Sequence, residues 1–180
     1  MRRILLLTLV SVAAAGGGCS SDITGAGYQS NRVSAITDPS LVARSRTVPF
    51  MAHYLAGVVG VGPGPGCDAR LFLKGAGIGT HLGKFTITLG FCGRGDGTLD
   101  TGTGTFVAAN GELLYITFHG VSDGGQPVLH FTSYVSFVGG TGRFEGVTGT
   151  ATVEGIFDGR TGSGPADWDG TITFPGKSGG

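Results

Sequence analysis

The stretch VGGTGRFEGVTG, residues 138–149, sets five glycines around one arginine and one glutamate. Two readings compete for it. A glycine loop that cradles phosphate would make the chain a candidate nucleotide enzyme. A glycine turn that lets two strands meet would make it a β-protein. A phosphate loop must lead from a strand into a helix, because backbone N–H groups and the helix end hold the anion. After Gly149 comes TATVEGIFDG, which alternates like a strand and carries the β-branched Thr150, Thr152 and Val153. Gly140, Gly142 and Gly146 give the spacing G-x-G-x-x-x-G, and no Lys-Ser or Lys-Thr pair completes the loop. The turn reading is the one that fits, with glycine permitting a bend or bulge where one strand returns beside another. Arg143 and Glu145, two apart on an extended segment, then share a face as a surface pair.

Outward from this stretch the hydrophobic period is two. FTITLGF puts Phe85, Ile87, Leu89 and Phe91 on one face and Thr86, Thr88 and Gly90 on the other. LLYITFHG opposes Leu114, Ile116 and Phe118 to Tyr115, Thr117 and His119. VLHFTSYVSFV opposes Leu129, Phe131, Val135 and Phe137 to His130, Thr132, Tyr134 and Ser136. Such alternation marks antiparallel strands with one buried face. The punctuation agrees: VGPGPGC, the Asn110-Gly111 hairpin dipeptide and VSDGGQP each separate two runs. Eight strands are expected, near 47–60, 68–76, 82–92, 97–108, 112–120, 127–138, 144–158 and 168–174. Eight antiparallel strands with short turns suffice to close a barrel without exposed edges. The fold class is therefore all-β, a closed eight-stranded antiparallel barrel over residues 47–176.

Composition points the same way. Glycine accounts for 37 of 180 residues, about 20% against a usual share near 7%. The 40% hydrophobic share still provides for a folded core. The chain carries 12 basic and 12 acidic residues. Without Arg2 and Arg3, which fall in a leader, 12 − 2 leaves 10 basic against 12 acidic. No basic patch of the sort that binds a phosphate backbone is present, which argues against nucleic acid as a partner. No cofactor fingerprint, nucleophile elbow, zinc-hydrolase helix or calcium loop appears.

YVSFVGGTGRFEGVTGTATVEG, residues 134–155, resembles the stretch of allene oxide cyclases and dirigent proteins in which a strand ends in Gly-Gly-Ser/Thr-Gly. An aromatic, a small turn and a further strand come after it there. The resemblance implies an eight-stranded antiparallel barrel. It covers about 22 residues, is specific for the barrel turn, and transfers no cyclase residue to this chain. GTHLGKFTITLGFC and AANGELLYITFHG resemble secreted bacterial proteins of the same barrel group.

The N-terminus, MRRILLLTLVSVAAAGGGCSSD, has the parts of an export signal. Arg2 and Arg3 form the basic region, Ile4 to Ala15 the apolar region, and Gly16 to Gly18 the small residues. A leader of residues 1–18 ending at Cys19 resembles the lipobox of bacterial lipoproteins. That resemblance implies acylation of Cys19 and a membrane partner through the lipid. Gly16 stands where that family usually has an aliphatic residue; the alternative is ordinary cleavage among the alanines and glycines. Residues 19–46 read as a polar tether, with a short helix near Pro39 to Arg44 as an option. The expected location is the outer membrane or cell surface, or otherwise the periplasm or exterior. Of three cysteines, lipidation of one leaves Cys67 and Cys92 to pair in an oxidising compartment. The bridge would contribute roughly 3 kcal/mol in the chain-entropy model. A metal site is its rival, although two cysteines without a histidine pattern make a poor one.

His119, His130, Tyr115 and Tyr134 share one strand face and form the candidate polar cluster, with His119 and His130 almost opposite each other. The competing reading places that face outside, in solvent. His81 reads as a rim residue, Glu112 as lying at a barrel mouth and Glu154 as pointing to solvent. Asp167 and Asp169 flank Trp168 at a strand start, where the indole would cap the barrel or stack on a ligand. No catalytic residue is assigned. The function these residues imply is a binding or structural module for a small apolar ligand. The alternative is a cyclase-type isomerase acting on a hydrophobic substrate inside the barrel. A roomy apolar interior separates these from a filled core, and an inward Glu, Asn or Tyr favours the enzyme.

Overall fold

The computed structural model describes residues 44–176, save Pro65. The leader, Cys19 and the tether up to residue 43 lie outside the described residues. Eight strands run in chain order: β1 Arg46–Gly64, β2 Cys67–Gly79, β3 Gly83–Gly93, β4 Thr98–Val107, β5 Leu113–Ser122, β6 Val128–Gly140, β7 Thr148–Asp158 and β8 Ser163–Phe174. Each pairs antiparallel with its sequence neighbour, and β1 pairs with β8 to close the barrel. Closure joins the two edge strands, so among the described residues neither is left as an open sheet edge.

The inward faces are those the alternation marks. Phe85, Ile87 and Leu89 of β3 and Leu114, Ile116 and Phe118 of β5 are all buried. Bulk from one strand is met by glycine on the next. A Cβ placed on Gly104 of β4 would come within 2.7 Å of Leu89 and 2.8 Å of Ile116. Close approach of this sort is a main use of glycine inside a barrel, where it leaves room for the facing side chains.

The two ends of the barrel differ. At one end Leu82, Ala108, Phe144 and Val147, each from a connection between strands, fold in and are buried over Phe50, Phe106 and Ile172. Arg46 and Phe174, where the chain enters and leaves the barrel, pair with each other at this plugged end. The glycine-rich stretch supplies much of the plug. Residues 142–144 form one 3-10 turn, so Phe144 does not begin a strand, and β7 starts at Thr148. Gly142 and Gly146 take φ of 59° and 66°, values that side chains resist, and so the chain can dive inward and seat Phe144 at 0% exposure. The expected Arg143–Glu145 surface pair is corrected: Arg143 Nε lies 3.0 Å from Glu112 Oε2, and the Arg143 N–H donates to Glu112 Oε1 at 3.2 Å. The Glu112 carboxylate therefore binds both the backbone and the arginine of the glycine-rich turn.

Hydrogen bonding from the Asn110 side chain, then the Arg143 backbone N–H and charge, hold the Glu112 carboxyl below its usual range. A depressed carboxyl contributes stability above the unfolded-state value, near 4.3, and loses it as pH falls through the folded value. Glu112→Gln should therefore lower the melting temperature at pH 7 and narrow the gap to the parent protein as pH drops below about 4. Thermal unfolding at pH 7, 5 and 3 checks this; parallel curves at every pH would contradict it.

β8 begins five residues before the expected strand start at 168. Consequently Asp167, Trp168 and Asp169 sit within the strand rather than at its head. Pro165 hides the earlier start in the sequence. It pairs with Leu55 of β1, while the ladder to β7 skips Ile156 and Phe157 opposite Pro165 and Gly164. A proline fits a strand only where no ladder N–H is needed from it.

Candidate functional site

The end opposite the plug is open. There the barrel encloses a cavity of about 220 Å³. Leu71 and Leu73 of β2, Leu89 and Phe91 of β3, Leu99 of β4, and Ile116 and Phe118 of β5 line one side. Tyr54 and Val58 of β1, Leu129, Phe131, Ser133 and Val135 of β6, Val153 and Phe157 of β7, and Trp168 of β8 line the other. An eight-stranded barrel is just wide enough for its own side chains or one small ligand. This barrel does the first at its plugged end and the second at its mouth.

The floor of the cavity is aromatic. Phe106 meets Phe85 and Trp168 edge-on, with centroids 5.0 and 5.1 Å apart. Trp168 also packs against Tyr54 and Phe50 at 6.1 and 6.2 Å. The Trp168 Nε1 is buried with no hydrogen-bond partner among the described residues. The single tryptophan thus forms part of the cavity wall.

Polar groups in the lining are few. Ser133 is buried on β6, and Tyr54 is 4% exposed on β1. Burial pushes the Tyr54 phenol up to about 12, with no charge or hydrogen bond contributing. At neutral pH Tyr54 is therefore a hydroxyl donor and not a base. At the mouth, the Ser122 hydroxyl donates to the Gly97 carbonyl at 3.2 Å, and Arg94 Nη2 lies 2.6 Å from Asp100 Oδ2. Both mouth groups are already engaged. Tyr54 and Arg94 are the ionisable residues of the lining. The folded chain holds the Tyr54 proton more tightly than the unfolded chain, whose tyrosines titrate near 10. Stability is therefore whole below about pH 10 and falls as pH rises through about 12. Tyr54→Phe should remove this alkaline loss, as read by unfolding midpoints between pH 9 and 12; an unchanged alkaline slope would count against it.

Cys67 and Cys92 are bridged, with Cα atoms 5.5 Å apart. The bridge ties the first residue of β2 to the penultimate residue of β3, beside the mouth. Among the described residues, no three His, Cys, Asp or Glu side chains converge as a metal site.

The polar cluster lies elsewhere. His119, His130, Tyr115 and Tyr134 are on the outer, solvated face. The expected opposition of His119 and His130 is corrected: His119 pairs with Tyr134, its ring 5.6 Å away, and His130 faces Asp123. The β5–β6 connection is centred two to three residues later than the SDGG run suggests. The Asp123 carboxylate holds it by accepting from the N–H groups of Gly125 and His130. His81 is a rim residue at the plugged end, with φ of 62° and its Nε2 3.2 Å from the Pro49 carbonyl oxygen. His53 is outside too, its Nδ1 2.7 Å from Asp167 Oδ1. Glu112 stands in the β4–β5 connection at the plugged end of the barrel, and Glu154, Asp167 and Asp169 are exposed. Trp168 points inward, and Tyr54 and Ser133 join it as inward groups that the alternation pattern does not single out.

Fold and site together define a closed eight-stranded antiparallel barrel, plugged at one end and hollow and apolar at the other. Among solved structures, the chain is similar to a pterocarpan synthase dirigent protein. Identity is 15%, over 74% of this chain and 93% of that one, with a TM-score of 0.48. The sequence matches no protein-family model and no curated protein.

Proposed function

We propose that this chain is an exported, lipid-anchored barrel of a bacterial cell envelope that binds a small apolar ligand in its cavity. The observation that carries the binding reading is the cavity itself. It is about one and a half times the volume of an engineered apolar cavity of about 150 Å³ that takes up benzene. A ligand of one ring with a short substituent matches that space. Export is supported by the leader pattern before Cys19 and by the Cys67–Cys92 bridge, which suits an oxidising compartment. A tether joined at Arg46 attaches at the plugged end, which leaves the mouth remote from the point of attachment.

Intact-mass analysis of the protein purified from membranes tests both halves. The expected result is a chain that begins at an acylated Cys19, retains the Cys67–Cys92 bridge and, under native conditions, carries a small ligand. An unacylated N-terminus would overturn the anchor, and a barrel that takes up no apolar molecule would overturn the binding module.

A second reading, isomerisation or ring closure inside the barrel, is favoured by the inward Tyr54 hydroxyl. A buried donor of this kind stabilises an oxygen on which negative charge develops. Chromatography of the ligand before and after incubation separates the two: unchanged ligand supports binding, and an isomer supports turnover.

A further inference from the structure

We infer that the cavity selects neutral ligands with a hydrogen-bond acceptor, seated with the acceptor toward Tyr54 and Ser133 and the hydrocarbon body against β2–β5. This rests on the binding reading above and adds the ligand's chemical class.

The two sides of the cavity are chemically unequal. The β2–β5 side presents Leu73, Leu89, Phe91, Ile116 and Phe118, with no polar side chain until the mouth is reached. Below the mouth, where Ser122 of β5 and Arg94 are already engaged, the polar groups come from β1, β6 and β8. Barrel register brings them together: Ser133 pairs with Val153, Val153 with Trp168, and Tyr54 lies two residues along β1 from Ala52, the partner of Trp168. Neighbouring strands stand about 4.8 Å apart, so Ser133 and Trp168, two strands apart, are separated by roughly 10 Å along the sheet and Ser133 and Tyr54, three strands apart, by roughly 14 Å, and all three side chains line the one cavity.

That wall holds two hydroxyls, which donate or accept, and an indole N–H, which needs an acceptor as its partner. The Trp168 N–H is buried without one among the described residues. Tyr54, its ring 6.1 Å from that of Trp168, is held protonated beside it. A buried donor left unpaired costs about 1–3 kcal/mol, so a ligand oxygen that reaches this wall recovers interaction that a pure hydrocarbon cannot. A carbonyl or ether oxygen supplies it. A carboxylate is disfavoured, because the lining's cation, Arg94, sits at the mouth and is paired to Asp100. An ionised group taken to the floor would lose its water without gaining a counter-charge.

Three probes with the same number of non-hydrogen atoms test this on the full chain: cyclohexyl methyl ketone, isopropylcyclohexane and cyclohexanecarboxylate. Trp168 fluorescence reports binding, since it is the single tryptophan. Comparing each probe between the parent protein and Tyr54→Phe cancels the differing cost of drawing the probes out of water. Tyr54→Phe should weaken the ketone about five- to tenfold, the usual worth of one hydrogen bond, and leave isopropylcyclohexane unchanged. Cyclohexanecarboxylate should bind about a hundredfold more weakly than the ketone. Ser133→Ala, on the same wall, serves as the second variant where Tyr54→Phe fails to fold. If the ketone and hydrocarbon respond alike to both substitutions, or the carboxylate binds as well as the ketone, the ligand class is wrong and the binding reading stands. If none of the three perturbs Trp168, the binding reading fails.

Discussion

Phe106→Ala should remove about 3–5 kcal/mol of folding stability, enough to unfold a marginal domain at room temperature. Phe106 is 0% exposed at the centre of the barrel, between the plug and the cavity. Its ring meets Phe50, Phe85 and Trp168 edge-on, at centroid distances of 6.4, 5.0 and 5.1 Å. Each such pair is worth about 0.5–1.5 kcal/mol beyond the apolar area it buries. Truncation forfeits these contacts and leaves a void that strands held by ladders on both sides cannot collapse to fill. Phe106→Leu keeps most of the volume and should cost markedly less. Urea unfolding of the two variants decides; an alanine variant within about 1 kcal/mol of the parent protein would mean that the aromatic floor is not the centre of the core.

The second large effect belongs to the bridge. The double variant Cys67→Ser/Cys92→Ser should lose about 3 kcal/mol, because the bond closes a loop of 25 residues in the unfolded chain. Reducing agent should bring the parent protein to the same midpoint and leave the double variant unmoved. The loss should be felt at the mouth, since the bond joins β2 to β3 there, and so ligand affinity should fall together with stability. A parent protein whose unfolding ignores reductant would contradict this account of the bridge.

Period-two alternation marks β3, β5 and β6 and their inward residues, such as Ile87, Leu114 and Phe137, because each of these strands has one oily and one polar face. β1 carries no such signal. Met51, Leu55 and Val59 face outward and are as apolar as Phe50, Ala52 and Ala56, which face inward. Tyr54 therefore could not be told from a surface tyrosine, although its spacing from Phe50 puts it on the same face. Phe144 was hidden for another reason. Its neighbours read as a strand, and only the left-handed turns at Gly142 and Gly146 divert it into the barrel end. The outer placement of His119 and Tyr134 follows from the alternation itself, since their strand neighbours Phe118 and Val135 are the buried ones. Whether the space between inward residues is filled or hollow depends on how side chains from eight strands meet across the barrel, and no local pattern encodes it.

The central claim is that the open half of the barrel takes up an apolar guest. Nuclear Overhauser contacts from bound cyclohexyl methyl ketone to side chains of the barrel test it most directly. Contacts to Leu73, Leu89, Ile116 and Val153, with none to Leu82, Val147 or Ile172 at the plugged end, are the predicted result. Contacts confined to Leu55, Val59 and Ile78 on the outer face would contradict it.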